Sequence, residues 1–505
     1  MLSTISVLMM ACAPKKSNTV PETVAPITAP IPVAKQPIPV VPRAPVFTPL
    51  EPATYKLGNR SVLWIHEEHS LPLVVLKAVL PGGYLHDPKD LSGQAWLVSE
   101  MMEESAGGKS ALEISEALRL TATQLSVSVG RTETTVTLST LKDNLTEMLP
   151  YFVSTVLTPD FREDDWQRVL TQSQNAQQQS LKDPSSMASS YGSGFLYGFD
   201  HPWGRIWNGT ASSLSRQNRQ TALEWHQQRL TAGHVKFIAS GDVDPLDLST
   251  QLDLQFPSQT LSGTLSPVPP AAEPLKKHTD TSLSTIDSSS ESDNNTADTQ
   301  QQYGKIFLVD LPGAQQTSIR VMSHAWTKGG DLRVKEELAA KIIGGSFTSR
   351  LNSLLREKKG YTYGARCRFI ESAIGGQFVA STSVQTKFTA PALIDLLGVI
   401  NDITFTEEEL SKSKKLMRSD FISSNVGLQS IASQMDSMAS MEHAPDRRGL
   451  ELRVADMVSL AILNSTTPLF HSARGVIVLI GDKKKVLEPL TEAGFNITLS
   501  ELPTE

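Results

Sequence analysis

Three common features are scarce or missing in this sequence of 505 residues. It has two cysteines, Cys12 and Cys367, which excludes a scaffold held together by many disulfides. No run reaches the roughly 18 apolar residues that a membrane-spanning helix needs. Positive charge is not in excess either, because the net charge is −7, and this excludes the basic footprint of a nucleic-acid-binding protein. The remaining composition is that of a globular protein with more than one domain.

The N-terminal segment has the pattern of an export signal. An apolar run over residues 1–11 ends directly before Cys12, with Leu8 and Ala11 preceding the cysteine. This arrangement resembles the lipobox of bacterial lipoproteins, in which the cysteine carries the lipid and the residues before it are removed. We therefore expect lipid attachment at Cys12. The alternative is an apolar N-terminus without this function.

A proline-rich stretch occupies residues 12–52. Repeated proline favours an extended polyproline II chain of about 3.1 Å per residue, so we expect a tether that reaches up to about 120 Å. Ala13 and Pro14 follow the cysteine with no acidic residue beside them, which resembles lipoproteins sorted to an outer membrane. The expected location is the bacterial cell envelope, with the lipid in the outer membrane and the folded part facing the periplasm.

The folded part of the chain reads as two copies of one unit. Strand and helix patterns alternate over residues 53–256, and residues 257–302 are a linker rich in Ser, Thr and Asp. The pattern then returns over residues 303–505. Both copies end on a similar buried strand, FIASGD at 237–242 and VIVLIGD at 476–482. The sequence thus predicts two tandem halves of the α+β class.

One short helix carries a spacing typical of metal-binding helices. The stretch AWLVSEMMEESAGG at 95–108 has one apolar stripe, and Trp96 and Glu100, four residues apart, share a face. An indole offers no lone pair to a metal. Glu100, Glu103 and Glu104 could together form a carboxylate face for a hard cation. The alternative is an ordinary solvated helix face.

Several motifs resemble one known family. They include HPWGR at 201–205, SGDVDP at 240–245 and, most specifically, IIGGSFTSRLNSLLREKKGYTYG at 342–364. Together they resemble the pitrilysin/insulinase-type zinc peptidases (inverzincins), which include mitochondrial processing peptidase. The resemblance implies an α+β fold with two tandem homologous α/β-sandwich halves that form a clamshell.

The resemblance also shows that the zinc motif is degenerate in this chain. Family members carry His-x-x-Glu-His on the helix after the first GG strand, and the two histidines and the catalytic glutamate fall here on Trp96, Glu100 and Ser99. A further glutamate ligand is expected near residues 175–177, where the sequence is Asn-Ala-Gln. We therefore expect no metal ligand and no cofactor in this chain, and no autonomous peptidase activity.

A second family feature is kept. Arg356 and Tyr363 stand at the spacing of an arginine and a tyrosine that, in the family, reach the peptide at the zinc. The resemblance implies that Tyr363 donates to the oxyanion and that Arg356 fixes a substrate carbonyl. The alternatives are pairing of Arg356 with Glu357 or a surface carboxylate, and packing of Tyr363 in the sheet. Tyr361, two residues earlier, is expected on the same strand face, so the choice of tyrosine stays open.

Some bacterial members of the family divide these parts between two subunits. The resemblance implies that this chain is the zinc-motif-lacking subunit of a heterodimeric zinc metalloendopeptidase, with Zn in a homologous partner subunit. The other expected partners are an extended peptide substrate and the membrane that holds the lipid, and no nucleic acid. The strand at Leu125–Val129 is the expected peptide-binding edge. The alternatives are an inert structural or peptide-binding pseudopeptidase lipoprotein, and a scaffold that acts through its anchor alone.

Overall fold

The computed structural model describes residues 51–256, 261–269, 304–325, 332–372, 374–466, 469–470 and 475–503. The expected signal, the lipid-attachment residue Cys12, and nearly all of the tether and linker lie outside the described residues. None of the helices in these described ranges combines the length and the apolar character needed to cross a membrane.

The first half contains strands and helices in mixed order. Its strands are β1 (Ala53–Lys56), β2 (Val62–Glu67), β3 (Leu73–Pro81), β4 (Gln124–Val129), β5 (Glu133–Leu141) and β6 (Lys236–Gly241). Its helices are α1 (Gln94–Met102), α2 (Ala111–Leu120), α3 (Leu145–Leu157), α4 (Glu163–Ser180), α5 (Pro184–Tyr197), α6 (Ala211–Ser215), α7 (Arg219–Ala232) and α8 (Pro245–Gln255).

The second half repeats this plan. Its strands are β7 (Lys305–Asp310), β8 (Gln316–Ala325), β9 (Thr362–Ser372), β10 (Gly375–Gln385), β11 (Gly475–Gly481) and β12 (Ile497–Ser500). Its helices are α9 (Leu332–Ile343), a π-helix (Asn352–Lys358), α10 (Thr389–Asn401), α11 (Glu407–Ser424), α12 (Leu428–Ser440), α13 (Arg447–Met457), α14 (Leu460–Asn464) and α15 (Lys483–Glu492).

Each half forms one sheet, six-stranded in the part of the chain that the structure describes. The strand orders are β1-β2-β6-β3-β5-β4 and β12-β7-β11-β8-β10-β9. Five strands correspond one to one, with β2 parallel to β6 and β7 parallel to β11. The two similar sequence motifs form the equivalent strands β6 and β11. The prediction of two tandem copies in the α+β class is therefore confirmed.

The two halves exchange a helix. Helix α12 of the second half packs on the first sheet, and helix α5 of the first half packs on the second sheet. The first contact joins Val75, Val79 and Ile238 to Leu428, Ile431, Ala432, Met435, Met438 and Ala439. The second joins Met187 and Ala188 to Val309, Met322, Val379, Val476, Val478 and Ile480. Since each large apolar side chain gains about 1.5 to 3 kcal/mol on burial, the exchange binds the halves into one compact unit.

An ion pair is buried in the same interface. Lys77 on β3 lies 3.0 Å from an Asp436 carboxylate oxygen on α12, with 6% and 17% of these side chains exposed. Lys77 also donates to Ser433, and Thr135 on β5 donates to Asp436, each at 3.3 Å. The pair therefore connects α12 of the second half to two strands of the first sheet.

The core of the first half holds a buried histidine beside a buried arginine. The Arg229 guanidinium donates to His226 Nδ1 at 2.9 Å and to Thr134 Oγ1 at 2.8 Å. Burial, and then the adjacent Arg229 charge, hold the pKa of His226 well below its usual range. Burial also lowers the pKa of Arg229 to about 9. His226 is therefore neutral in the folded chain at physiological pH, and its Nδ1 serves as an acceptor.

This arrangement predicts a loss of stability in mild acid. Below a pH of about 6.5 the unfolded chain protonates His226 while the folded chain resists, so the free energy of unfolding falls as the pH falls. Between pH 7 and pH 5 we expect His226→Gln to reduce the slope of the free energy of unfolding against pH. The largest reduction corresponds to one proton, or about 1.4 kcal/mol per pH unit. Urea unfolding at several pH values measures this slope, with the partly exposed His234→Gln as control. Equal slopes for wild type and His226→Gln would contradict the prediction.

Candidate functional site

The degenerate zinc helix is α1. The predicted helix is confirmed, and it ends at Met102, before the end of the stretch 95–108. It begins after Gly93, whose φ of +88° places the backbone in the left-handed region. The two carboxylate oxygens of the buried Asp87 accept the amides of Gly93 and Ala95 at 2.7 and 2.8 Å. A carboxylate at this position satisfies free amides of the first turn and fixes where the helix starts.

The three motif positions on this helix make contacts that do not involve a metal. Trp96 packs edge to face against Trp207, with ring centroids 6.1 Å apart. Ser99 is buried, and its hydroxyl donates to the carbonyl of Trp96 at 2.7 Å. Partial burial, then the neighbouring Glu103 and Glu104, raise the pKa of Glu100. The side chains thus fill the space with an indole and a hydroxyl where the family places metal ligands and a base.

The position of the third ligand also lacks a carboxylate. Helix α4 packs against α1, and Asn175 and Ala176 are exposed on it. Gln177 is buried and donates to the Tyr191 hydroxyl at 3.2 Å. Within the described residues, no group of three or more His, Cys, Asp or Glu side chains is arranged to hold a metal ion.

All three glutamates on this face have protein partners, and Glu100 accepts a hydrogen bond from the Trp96 side chain. The Glu104 carboxylate lies 2.5 Å from the Arg168 guanidinium. The Glu103 carboxylate accepts the backbone amide of Val127 on the edge strand β4. An extended peptide that pairs with this edge needs that amide, so it would have to displace Glu103.

In the second half, Arg356 lies in an unusual helix. Residues Asn352–Lys358 form a π-helix, in which Lys359 N–H donates to the carbonyl of Leu354 at 3.0 Å, five residues earlier. Such widened turns are rare and occur frequently at functional sites. The Arg356 guanidinium lies 4.1 Å from the centroid of the Phe347 ring and 3.4 Å from the Glu357 carboxylate. Arg356 therefore contacts both the alternative partner Glu357 and the ring of Phe347.

Tyr363 lies in a β-bulge at the start of β9. Thr362 pairs with Val384 and Ala365 with Thr382, so Tyr363 and Gly364 together oppose the single residue Ser383. A bulge re-aims a side chain, and 93% of Tyr363 is exposed. In the described part of the chain, its hydroxyl makes no hydrogen bond.

The neighbouring tyrosine has a different environment. Tyr361 packs against Phe388, with ring centroids 4.7 Å apart, and it borders the core of the second half. The expectation that Tyr361 and Tyr363 share a strand face was wrong, because Tyr361 precedes β9 and the bulge breaks the alternation. Tyr363 is thus the tyrosine that is free to reach another molecule.

Arg356 and Tyr363 line one cavity of about 1120 Å³. It runs along β9 and is bounded by residues of α9, α11, α12 and α13. At its other end the buried Arg333 pairs with Glu337 at 2.7 Å, with Glu451 at 3.6 Å and with Glu371. Arg447 and Arg448 also pair with Glu451, so three arginines face three glutamates there. The cavity therefore joins the partly exposed Arg356 and the exposed Tyr363 to a charge-balanced interior wall.

Two family models match the chain. The Insulinase (Peptidase family M16) model matches residues 66–189, and the Peptidase M16 inactive domain model matches residues 217–417. Together they span well over half of the sequence. The chain belongs to the M16 peptidase family. None of the curated proteins matches this M16 chain by sequence.

Solved structures share the M16 fold at low sequence identity. The M16 inactive domain from Pseudomonas fluorescens is 20% identical with a TM-score of 0.72, covering 86% of this chain and 98% of that chain. A protease from Helicobacter pylori is 15% identical with a TM-score of 0.73, covering 86% and 100%. The periplasmic protease PqqL from Escherichia coli is 12% identical with a TM-score of 0.65, covering 92% of this chain and 49% of that chain.

Two side chains of the candidate site around Arg356 and Tyr363 were missed by the sequence analysis. Phe347 supports Arg356, and Asn352 contacts both β9 and the loop that carries Phe347. Both lie within the stretch 342–364 that carries the family resemblance, so the motif located them but gave them no role.

Proposed function

We propose that this chain is the non-zinc subunit of a heterodimeric zinc metalloendopeptidase of the M16 family. In this proposal Tyr363 donates a hydrogen bond to the oxyanion and Arg356 holds a substrate carbonyl, both at the zinc of the partner subunit. The observation that carries the proposal is the presentation of Arg356 and Tyr363 on a π-helix and a bulge beside a large cavity, in a chain whose zinc positions are Trp96, Ser99 and Glu100.

The packing of the halves supports a separate partner. Because the exchanged helices and the buried Lys77–Asp436 pair hold the two halves together, a chamber that opens for a peptide is expected between this chain and a second one. The comparison with PqqL supports an assembly of two such units, since 92% of this chain matches only 49% of that protease. A body of two such units would enclose an extended peptide.

The location and anchor belong to the same proposal. A lipid on Cys12 and the proline-rich tether would hold the subunit in the outer membrane, facing the periplasm. The supporting observation is the lipobox-like sequence before Cys12. The expected partner is a chain of the same fold with an intact His-x-x-Glu-His motif, which is first sought in a neighbouring reading frame.

Zinc analysis of purified proteins tests the proposal. The chain alone is expected to contain no tightly bound zinc and to cleave no peptide, since its motif positions offer an indole, a hydroxyl and one carboxylate. The co-expressed pair is expected to contain about one zinc per heterodimer and to cleave a quenched-fluorescent peptide. Stoichiometric zinc with cleavage by the chain alone would refute the proposal. An active pair that keeps its full rate with Arg356→Ala would favour the inert pseudopeptidase.

A further inference from the structure

Asn352 connects three structural elements. Its side chain is 6% exposed. Its Oδ1 accepts the backbone amide of Ala365 on β9 at 2.9 Å. Its Nδ2 donates to the carbonyl of Ser346 at 2.9 Å and lies 3.3 Å from the Ser349 hydroxyl. One amide group therefore joins the first turn of the π-helix to the edge strand and to the loop over residues 344–350.

Each of these elements carries one residue of a cluster formed by Arg356, Phe347 and Tyr363. The π-helix carries Arg356, the strand carries Tyr363 two residues before the bonded amide, and the loop carries Phe347. The ring of Phe347 is more than half exposed, and the Arg356 guanidinium lies against it. Among the residues that the structure describes, none of the three has a buried hydrogen-bond or ion-pair partner that would fix its place relative to the other two.

The loop approaches the strand very closely at one other point. The amide of Cys367 donates to the carbonyl of Gly344 at 3.3 Å, and a Cβ on Gly344 would lie 2.5 Å from the Cys367 nitrogen. That contact closes the start of the loop. Phe347, three residues further on, depends on the bonds from Asn352 to Ser346 and Ser349.

The bulge itself has independent support. The Thr382 hydroxyl on β10 donates to the carbonyl of Gly364 at 3.0 Å, and the Thr362 hydroxyl accepts the Gly364 amide at 3.1 Å. Thr362 also donates to the carbonyl of Ser383 at 2.7 Å. Loss of Asn352 would therefore leave the bulge formed and release it from the helix and the loop.

We propose that Asn352 is a positioning residue that sets Arg356, Phe347 and Tyr363 in one arrangement, so that the arginine and the tyrosine act as a unit. This inference rests on the proposed function, and it adds the residue that fixes the geometry of that site. A displacement of about 1 Å at such a site can cost up to about 10²-fold in rate.

Hydrogen exchange on the chain alone tests whether Asn352 holds the strand and the loop together (the Asn352 clamp), and it needs no measurement of peptidase activity. With Asn352→Leu we expect about tenfold faster exchange of the Ala365 amide, because its acceptor is gone. With Asn352→Asp the Ala365 amide keeps an acceptor, and only the amides of the loop over 344–350 exchange faster. The matched control is Asn59→Leu, since Asn59 is also buried and also bonds a backbone amide (Ser61) and a carbonyl (Phe256). Unchanged exchange at Ala365 in Asn352→Leu would refute the clamp.

A double-mutant cycle in the zinc-containing heterodimer tests the role in catalysis. With a quenched-fluorescent peptide as probe, Asn352→Leu is expected to lower kcat about tenfold with little change in KM, and Asn59→Leu to leave both unchanged. In an Arg356→Ala background, the further effect of Asn352→Leu is expected to fall below about twofold. An equal effect in both backgrounds would overturn the positioning role. If Arg356→Ala itself has no effect, the proposed function fails, which is a different result from a failed cycle.

Discussion

Replacing Tyr363 with phenylalanine is expected to lower kcat of the heterodimer by about 10²-fold. The proposed hydroxyl donates only to charge that develops in the transition state, and the loss of one such donor typically costs about 10²- to 10³-fold. For the same reason kcat/KM should fall by the same factor while KM stays constant. Steady-state cleavage of a quenched-fluorescent peptide measures both.

For Arg356→Ala we expect a loss of at least about tenfold in the peptidase rate, with the complex still assembled.

The matched control for Tyr363→Phe is Tyr361→Phe. It removes the same hydroxyl two residues away, where the ring packs against Phe388, and it should leave kcat unchanged. Because Tyr363 is 93% exposed, Tyr363→Phe should also change the free energy of unfolding by less than about 0.5 kcal/mol. Full activity of Tyr363→Phe would remove the tyrosine from the mechanism. A loss of activity that follows a loss of stability would count against a catalytic role.

The second large effect is expected at the interface of the halves, from Asp436→Ala. This change leaves the Lys77 ammonium buried beside β3 with only Ser433 as a hydrogen-bond partner among the described residues. Removal of one partner from a buried ion pair typically costs about 3 to 5 kcal/mol, because the remaining charge is uncompensated. Urea unfolding followed by circular dichroism measures the loss.

Two controls separate charge from packing at this interface. The double variant Lys77→Met/Asp436→Leu removes both charges and is expected to recover most of the lost free energy of unfolding. The exposed pair of Arg418 and Asp456, 2.8 Å apart, serves as the surface comparison, and Asp456→Ala should cost at most about 1 kcal/mol. Similar losses for Asp436→Ala and Asp456→Ala would show that Lys77 reaches water when its partner is removed.

The duplicated architecture could be predicted from the sequence because its signals are local. The strands with the similar endings FIASGD and VIVLIGD are β6 and β11, at equivalent places in the two sheets. The exchange of α5 and α12 could not be predicted in this way. Leu428, Ile431 and Met435 give α12 an apolar stripe, but a stripe does not specify which sheet covers it. That choice depends on contacts between residues 190 or more positions apart in the chain.

At the candidate site, too, the sequence predicts some features and not others. The degenerate positions Trp96, Ser99 and Glu100 and the pair Arg356 and Tyr363 were located by the resemblance to the family's motifs. The orientation of Tyr363 was not, because alternation along a strand assumes one residue opposite each partner, and the bulge opposite Ser383 violates that assumption. The helix that carries Arg356 is predicted by the apolar positions Leu351, Leu354 and Leu355, but its π character is not, since their spacing is that of an ordinary α-helix.

The helix exchange has a consequence for biosynthesis. Strand β6 completes the first sheet at Gly241, but the helix that covers its outer face ends only at Ser440. Until that helix docks, Val75, Val79 and Ile238 present a bare, aggregation-prone surface. The unfolded polypeptide should therefore depend on chaperone holdases until the later helix has packed on the first sheet.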